Sequence, residues 1–262
     1  MEVPGRFDPP QQIREVVLVG CGGTGAVLAR CLCRIVYDLK RRRKHAPSIK
    51  FVDPDRVEPK NVGRQMFTQA DADAAAFKAE VHARRFNYGL GLDVSWYGER
   101  FEVERHASPY SLVCGCVDNH LARRELAKHE GLWLDCGNHV DSGQVILGNT
   151  SSLERLQGGA KDGVYRYLPN AALLFPALLD PEPEPAPQSA VSCAELLEAA
   201  EQDLLINDLV ATAAAHYLYK LLNHEPISTF LTFCDAGAYG LNLKSIPVTR
   251  ENLHTYMELA ER

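Results

Sequence analysis

The chain has no apolar run approaching the roughly 18–20 residues that a membrane-spanning helix needs. Its first twelve residues, MEVPGRFDPPQQ, lack the basic-then-apolar order of a secretion signal, so a cytoplasmic protein with no membrane partner is expected. It has no surplus of positive charge. Its 28 basic residues are outnumbered by 34 acidic ones, and a nucleic-acid partner is not expected. There is no pair of C-x-x-C motifs, and therefore no structural zinc signature. Eight cysteines spread over 262 residues do not make a disulfide framework. Two C-x-C pairs, Cys31 with Cys33 and Cys114 with Cys116, fall in apolar segments and read as buried reduced thiols. No internal repeat is visible. What remains is ordinary globular composition, 46% hydrophobic and 24% charged, in a chain long enough for one large domain or two small ones.

Glu15 to Val19 reads as a short buried strand that stops on glycine. Gly20-Cys21-Gly22-Gly23-Thr24-Gly25 follows, and an apolar helix is expected from about Ala26 to Tyr37. Strand, glycine loop and helix together bring backbone amides and a helix N-terminus close to a phosphate. The pattern does not by itself separate a dinucleotide from ATP. Lys40 to Lys44 is a basic run, either a solvated loop or a docking patch for an acidic partner.

The chemically densest stretch is Phe51 to Gln65, FVDPDRVEPKNVGRQ. It follows a second strand, Ser48 to Val52, and carries Asp53, Asp55, Asn61, Arg64 and Gln65. Acids, an amide and a guanidinium supply a ribose acceptor, a polar anchor and a phosphate clamp. Asp53 sits at a strand's carboxyl end, where a ribose-binding acid belongs in a doubly wound sheet. It comes 28 residues after Gly25, later than the usual ~20.

An alanine-rich helix is expected from Ala70 to Asn87, carrying Lys78, then strands at Val94–Tyr97 and Ser111–Val117. Asp118 and Asn119 open the next helix, where Asp118 either holds Mg²⁺ or caps the helix. Further strands are expected at Leu132–Asp135 and Ser142–Gly148, followed by a long irregular region. Pro181-Glu182-Pro183-Glu184-Pro185-Ala186-Pro187 reads as an extended crossing. Ser192-Cys193-Ala194-Glu195 is a capping box, and the helix behind it runs to Leu222. Strands at Thr229–Cys234 and Gly240–Val248 and a short helix after Thr249 complete the chain.

These residues resemble the superfamily of ThiF, MoeB and the ubiquitin-activating enzymes. The resemblance is carried by the Gly20–Gly25 loop, the D-x-D-x-V-x-x-x-N-x-x-R-Q motif at Asp53–Gln65, Lys78, and V-D-N-x-x-x-R at Val117–Arg123. The proline-rich crossing into S-C-A-E is also similar to that family's crossover loop. Within the superfamily the likeness is to ThiF-family proteins of the plasmid-borne PRTRC cassette. The resemblance implies an α/β, Rossmann-like doubly wound and mostly parallel sheet, with antiparallel strands in the C-terminal half. It implies one adenylation domain over residues 1–262: an arm (1–14), a nucleotide-binding half (15–150), a crossover loop (176–192) and a C-terminal part (193–262).

The activity it implies is ATP-dependent adenylation of the C-terminal glycine of a ubiquitin-like β-grasp protein, by a homodimer. Gly20, Gly22, Gly23 and Gly25 would line the nucleotide and Asp53 would take the ribose, with Asp55, Gln65 and Asn119 beside them. Asn61, Arg64 and Lys78 would hold phosphates, and Asp118 would bind magnesium. Cys193 would accept the activated C-terminus, or else be a small residue packing a helix start. At a first helical turn its thiol leans toward thiolate, with Glu195 opposing.

Three departures stand out. The family's zinc-binding cysteine pairs are missing, so no zinc is expected. Its glycine three residues before the lysine is Ala75 here. The N-terminal helix whose arginine completes a partner's site is not recognisable, leaving Arg6 or Arg14 as substitutes. Three other readings compete: adenylation of a small-molecule or tRNA-borne carboxylate, a non-catalytic module binding ATP or a ubiquitin-like protein, and an NAD-dependent oxidoreductase. The last explains the glycine loop and Asp53 but not Arg64, Lys78 and Asp118.

Overall fold

The computed structural model describes residues 4–63, 65–158, 160–180, 204–237 and 240–260. Eleven strands are found there: β1 (Arg6–Phe7), β2 (Glu15–Val19), β3 (Ser48–Val52), β4 (Val94–Tyr97), β5 (Ser111–Gly115), β6 (Leu132–Asn138), β7 (Ser142–Gly148), β8 (Ala160–Lys161), β9 (Val164–Tyr165), β10 (Thr229–Asp235) and β11 (Asn242–Pro247). The helices used below are α1 (Gly23–Arg41), α2 (Gln69–Asp73), α3 (Lys78–Leu90), α4 (Val103–His106), α5 (His120–Leu126), α6 (Leu153–Gln157), α7 (Ala171–Leu174), α8 (Leu204–Leu222) and α9 (Arg250–Ala260). No helix among the described residues is long and apolar enough to cross a membrane.

Eight strands form one sheet in the order β11-β10-β7-β6-β5-β2-β3-β4. From β6 to β4 the pairing is parallel, and β7, β10 and β11 add antiparallel strands at the other end. The α/β, Rossmann-like reading of the sequence is therefore the observed fold. The central strands are apolar without alternation because both faces are covered: Val16, Val17, Leu18, Leu112, Val113 and Leu134 are all buried. Chain order reverses between β2 and β5, which opens a crevice at the carboxyl ends of those two strands.

The two faces are told apart by residue parity on β6, since alternate side chains point to opposite faces. Asn138 bonds Thr24 of α1, whereas Asp135 meets Arg123 of α5. Helices α1, α3 and α8 therefore cover one face and α5 the other.

Several boundaries differ from the sequence expectation. Helix α1 begins at Gly23, so half of the glycine loop is helical. The helix expected at Ala70–Asn87 is two helices. The break holds Ala75 in the left-handed region (φ 43°), whose carbonyl accepts from Arg56 Nη1 at 2.7 Å. The strand expected to reach Val117 ends at Gly115, and the one expected to end at Asp135 continues to Asn138. The amino-terminal arm is not wholly irregular: β1 pairs with β9, and β8 completes a small second sheet. That pairing also brings structure to the region after Gly148 read as irregular.

Candidate active site

The glycine loop is built by close backbone approach. Gly20 has φ 85°, and a Cβ there would collide with the Cys116 carbonyl oxygen. A Cβ on Gly25 would collide with the Gly20 carbonyl oxygen, so α1 can start against the loop only with glycine at that position. Beside Gly23 lies the Asn207 side chain of α8, and beside Gly22 the Gln65 amide, 3.6 Å from where a Gly22 Cβ would stand. The four glycines thus form one tight turn, and the side chains pressed against it come from distant parts of the chain.

Asp53 closes that turn. It is buried, its Oδ2 accepts the Cys21 N–H at 2.5 Å, and its Oδ1 accepts the Asp55 N–H at 2.8 Å. Burial pushes its carboxyl up, opposed by those two N–H donors and by the Lys78 charge. Lys78 opens α3 and is 8% exposed. Its ammonium bonds Asp55 Oδ2 at 2.9 Å, while the Asp55 carboxylate itself is largely exposed. A buried cation held by one movable acid suits a group that must meet an incoming anion.

Other expected residues also shape the backbone. Asn61 is buried, and its Oδ1 accepts from Glu58 N at 2.9 Å, closing the 3₁₀ turn Pro59–Asn61. Gln65 Oε1 is buried without a hydrogen-bond partner, an orphan acceptor beside the glycine loop. The N-cap of α5 is Asn119, whose Oδ1 accepts from Ala122 N at 2.9 Å, so Asp118 is relieved of the capping role open to it in the sequence. Asp118 is exposed after β5, touched by the Asn119 amide at 3.4 Å. Mg²⁺ is commonly taken by one or two carboxylates together with phosphate oxygens, and this exposed carboxylate fits that donor set. Among the described residues no group of three or more His, Cys, Asp or Glu could hold a metal.

Arg64 and Cys193 lie outside the described residues, as do the proline-rich crossing and the capping box around Cys193. Arg14 precedes β2 and stacks on the Tyr110 ring, 4.4 Å from its centroid, at the sheet's amino edge and away from the crevice of its own chain. Arg6 lies on β1 and is exposed.

Several residues at the carboxyl edge gave little signal in the sequence. Thr24 Oγ1 donates to Asn207 Oδ1 at 2.8 Å, and Asn138 Nδ2 donates to the same oxygen at 2.5 Å and to Thr24 Oγ1 at 3.1 Å. This trio joins α1, β6 and α8 over Gly23. His82, one turn beyond Lys78, is fully buried between Phe67 and Phe86. Burial, with Arg85 nearby, lowers its pKa to about 4, so its ring is neutral at pH 7. A separate recess of about 760 Å³, lined by Lys128, His129, Thr150, Ser152 and Arg155 among others, contains none of the residues singled out in the sequence.

Comparison with known proteins agrees with this architecture. Crystal structures of E. coli MccB superpose on the chain. The complex with succinimide is 15% identical with a TM-score of 0.56, over 90% of this chain and 64% of that one. The complex with AMPCPP and MccA is 16% identical with a TM-score of 0.55, over the same shares of 90% and 64%. The complex with ATP is 14% identical with a TM-score of 0.52, again over 90% and 64%. The chain thus spans a little under two thirds of the length of MccB. No curated protein matches it by sequence. The ThiF family model matches residues 11–253, nearly the whole chain, and with the glycine turn, Asp53, Lys78 and Asp118 gathered around one crevice, the chain belongs to the ThiF family.

Proposed function

We propose that the chain is an ATP-dependent adenylyltransferase that activates a carboxylate, and that this carboxylate is the C-terminal glycine of a ubiquitin-like β-grasp protein. The observation that carries the reading is Lys78: a buried ammonium beside the glycine turn, whose partner is an exposed acid. Hydride transfer gives such a cation no task in the chemical step. Displacement at a phosphate does.

In the proposed reaction a substrate carboxylate oxygen attacks the α-phosphorus of ATP, the bond to the bridging oxygen breaks, and pyrophosphate leaves with the electron pair. The carboxylate is already the nucleophile, so no general base is required. The protein's task is to hold two anions together and to neutralise charge moving onto pyrophosphate. The loop amides at the start of α1 face the phosphates and Asp53 receives the ribose, with Asp55 and Gln65 beside it. Lys78 leaves Asp55 for the phosphates, and Arg64 is assigned to the same anion. Asn61 and Asn119 keep the two loops in shape. Asp118 would hold magnesium, which when bound supplies further neutralisation of the leaving pyrophosphate. Cys193 is the proposed acceptor if the activated glycine passes on as a thioester. A cytoplasmic homodimer is part of the same reading.

Two of the MccB structures hold a nucleotide, ATP in one and AMPCPP in the other, and the AMPCPP complex holds MccA as well. That supports a nucleotide and a second substrate meeting on this fold. The test is ATP–pyrophosphate exchange with Mg²⁺, with and without small proteins ending in Gly-Gly. Exchange that depends on such a protein is the expected result. Exchange driven instead by a small carboxylate would keep the chemistry and replace the partner. Binding of NAD in preference to ATP would overturn the reading.

A further inference from the structure

Four buried polar atoms without a hydrogen-bond partner lie together on the α5 face of the sheet: Asp135 Oδ1 and Oδ2, Arg123 Nε and Trp133 Nε1. Asp135 is fully buried on β6, and Arg123 Nε stands 3.8 Å from its Oδ1, too far for a hydrogen bond. Two glycines make room for the pair. A Cβ on Gly115 would come within 3.1 Å of Trp133 Nε1 and 3.4 Å of Asp135 Oδ1, and one on Gly137 within 3.5 Å of Arg123 Nη2. The guanidinium is thus lodged between the ends of β5 and β6, under the first turn of α5. The titratable groups near the carboxyl are Arg123 from α5, Cys116 from the tail of β5 and Cys136 on its own strand. Burial raises the Asp135 pKa to about 6, with Arg123 pulling the other way.

An ionised carboxylate with no hydrogen bond carries a desolvation cost at neutral pH, offset here only by the Arg123 charge 3.8 Å away. Ionisable groups held against stability mark functional positions. The position says which function. Arg123 N bonds Asn119 O at 3.3 Å, and Asn119 caps the helix directly after Asp118. Helix α5 has seven residues, too short to hold its own orientation.

We propose that Asp135 is a positioning residue: it draws Arg123 against the strand ends, and Arg123 fixes α5 and the Asp118–Asn119 turn at the crevice. The inference rests on the adenylation reading for the role of Asp118 toward nucleotide-bound Mg²⁺. Neither Asp135 nor Arg123 need touch the nucleotide.

The experiment measures affinity for ATP by calorimetry, with MgCl₂ and with EDTA, in the parent, Asp135→Asn and Arg123→Lys. With MgCl₂, affinity should fall about tenfold in Asp135→Asn and less in Arg123→Lys, the scale set by residues that orient a metal ligand. In EDTA both variants should match the parent. The melting temperature supplies a second readout. The folded-state pKa of Asp135 lies above its unfolded value, so the parent gains stability as pH falls through about 6. The parent should therefore gain on Asp135→Asn between pH 7.5 and pH 5. Unchanged affinity with MgCl₂ in both variants overturns the proposal, as does an equal loss with and without Mg²⁺. If Asp135→Asn does not fold, Arg123→Lys alone decides. A parent that binds ATP with Mg²⁺ but exchanges no pyrophosphate with any carboxylate would sink the adenylation reading and leave this one to be judged on affinity.

Discussion

At the carboxyl edge of the sheet two polar clusters, Thr24–Asn138–Asn207 on the α1 face and Asp135–Arg123–Trp133 on the α5 face, are treated in opposite ways. On the α1 face Thr24, Asn138, Asn207 and Asp53 are bonded to one another or to backbone. On the α5 face Asp135, Arg123 and Trp133 leave four buried atoms unbonded. The bonded trio is scaffold, set before any ligand arrives, whereas Asp53 is the proposed ribose acceptor and Gln65 Oε1 and the His82 ring nitrogens on the same side are left unbonded. The unbonded cluster gives up stability to keep charge beneath the first turn of α5. Substitutions in the trio should therefore act through stability and those around Asp135 through ligand affinity.

Gly25→Ala is the largest expected effect. Its Cβ would meet the Gly20 carbonyl, and both sides of that contact are backbone, so destabilisation of about 3 kcal/mol or more is expected in a denaturant titration. A mild effect would mean the bonded face is softer than its contacts imply. Lys78→Met tests the exception on that side, a charge held by one exposed acid. Pyrophosphate exchange should fall about 10²-fold or more with the melting temperature nearly unchanged. A large thermal loss with little rate loss would make Lys78 scaffold too. Asn207→Ala removes the shared acceptor of Thr24 and Asn138, at a cost of about 2 kcal/mol in stability. Nucleotide affinity in the folded fraction should hold, and its loss would shift the trio into the binding site. Ala75→Gly is the smallest. Relief of the left-handed backbone is partly offset by unfolded-state entropy, leaving about 0.5 kcal/mol of stabilisation in the same titration.

The contrast between the faces also marks how far the sequence could be read. Strands at Glu15–Val19, Ser48–Val52, Val94–Tyr97 and Ser142–Gly148 were legible to the residue, because apolar runs end on glycine, acid or turn residues there. The break at Ala75 was not, since alanine favours helix and its left-handed turn is held by Arg56 from 19 residues away. The strands β1, β8 and β9 are two residues each and exist only through long-range pairing. Around the crevice, local spacing pointed to Asp53, Lys78 and Asp118. Asn207 lies 183 residues from Thr24, and no local pattern links them. Asp135 did leave a trace, a lone acid inside the apolar run Leu132 to Cys136, and a buried ionisable group is the physical meaning of that trace. Arg64 and Cys193 lie outside the described residues, and their roles are proposals that rest on the resemblance.

Helices α1 and α8 run parallel and are tied near both ends. Thr24 meets Asn207 at the crevice, and Arg42 and Lys44 meet Asn223 at the far end, at 3.1 and 3.5 Å. Two fastenings along a common axis fix how far α8 can slide, whatever chain leads into it. The glycine turn is thereby braced from α8 through contacts between described residues alone.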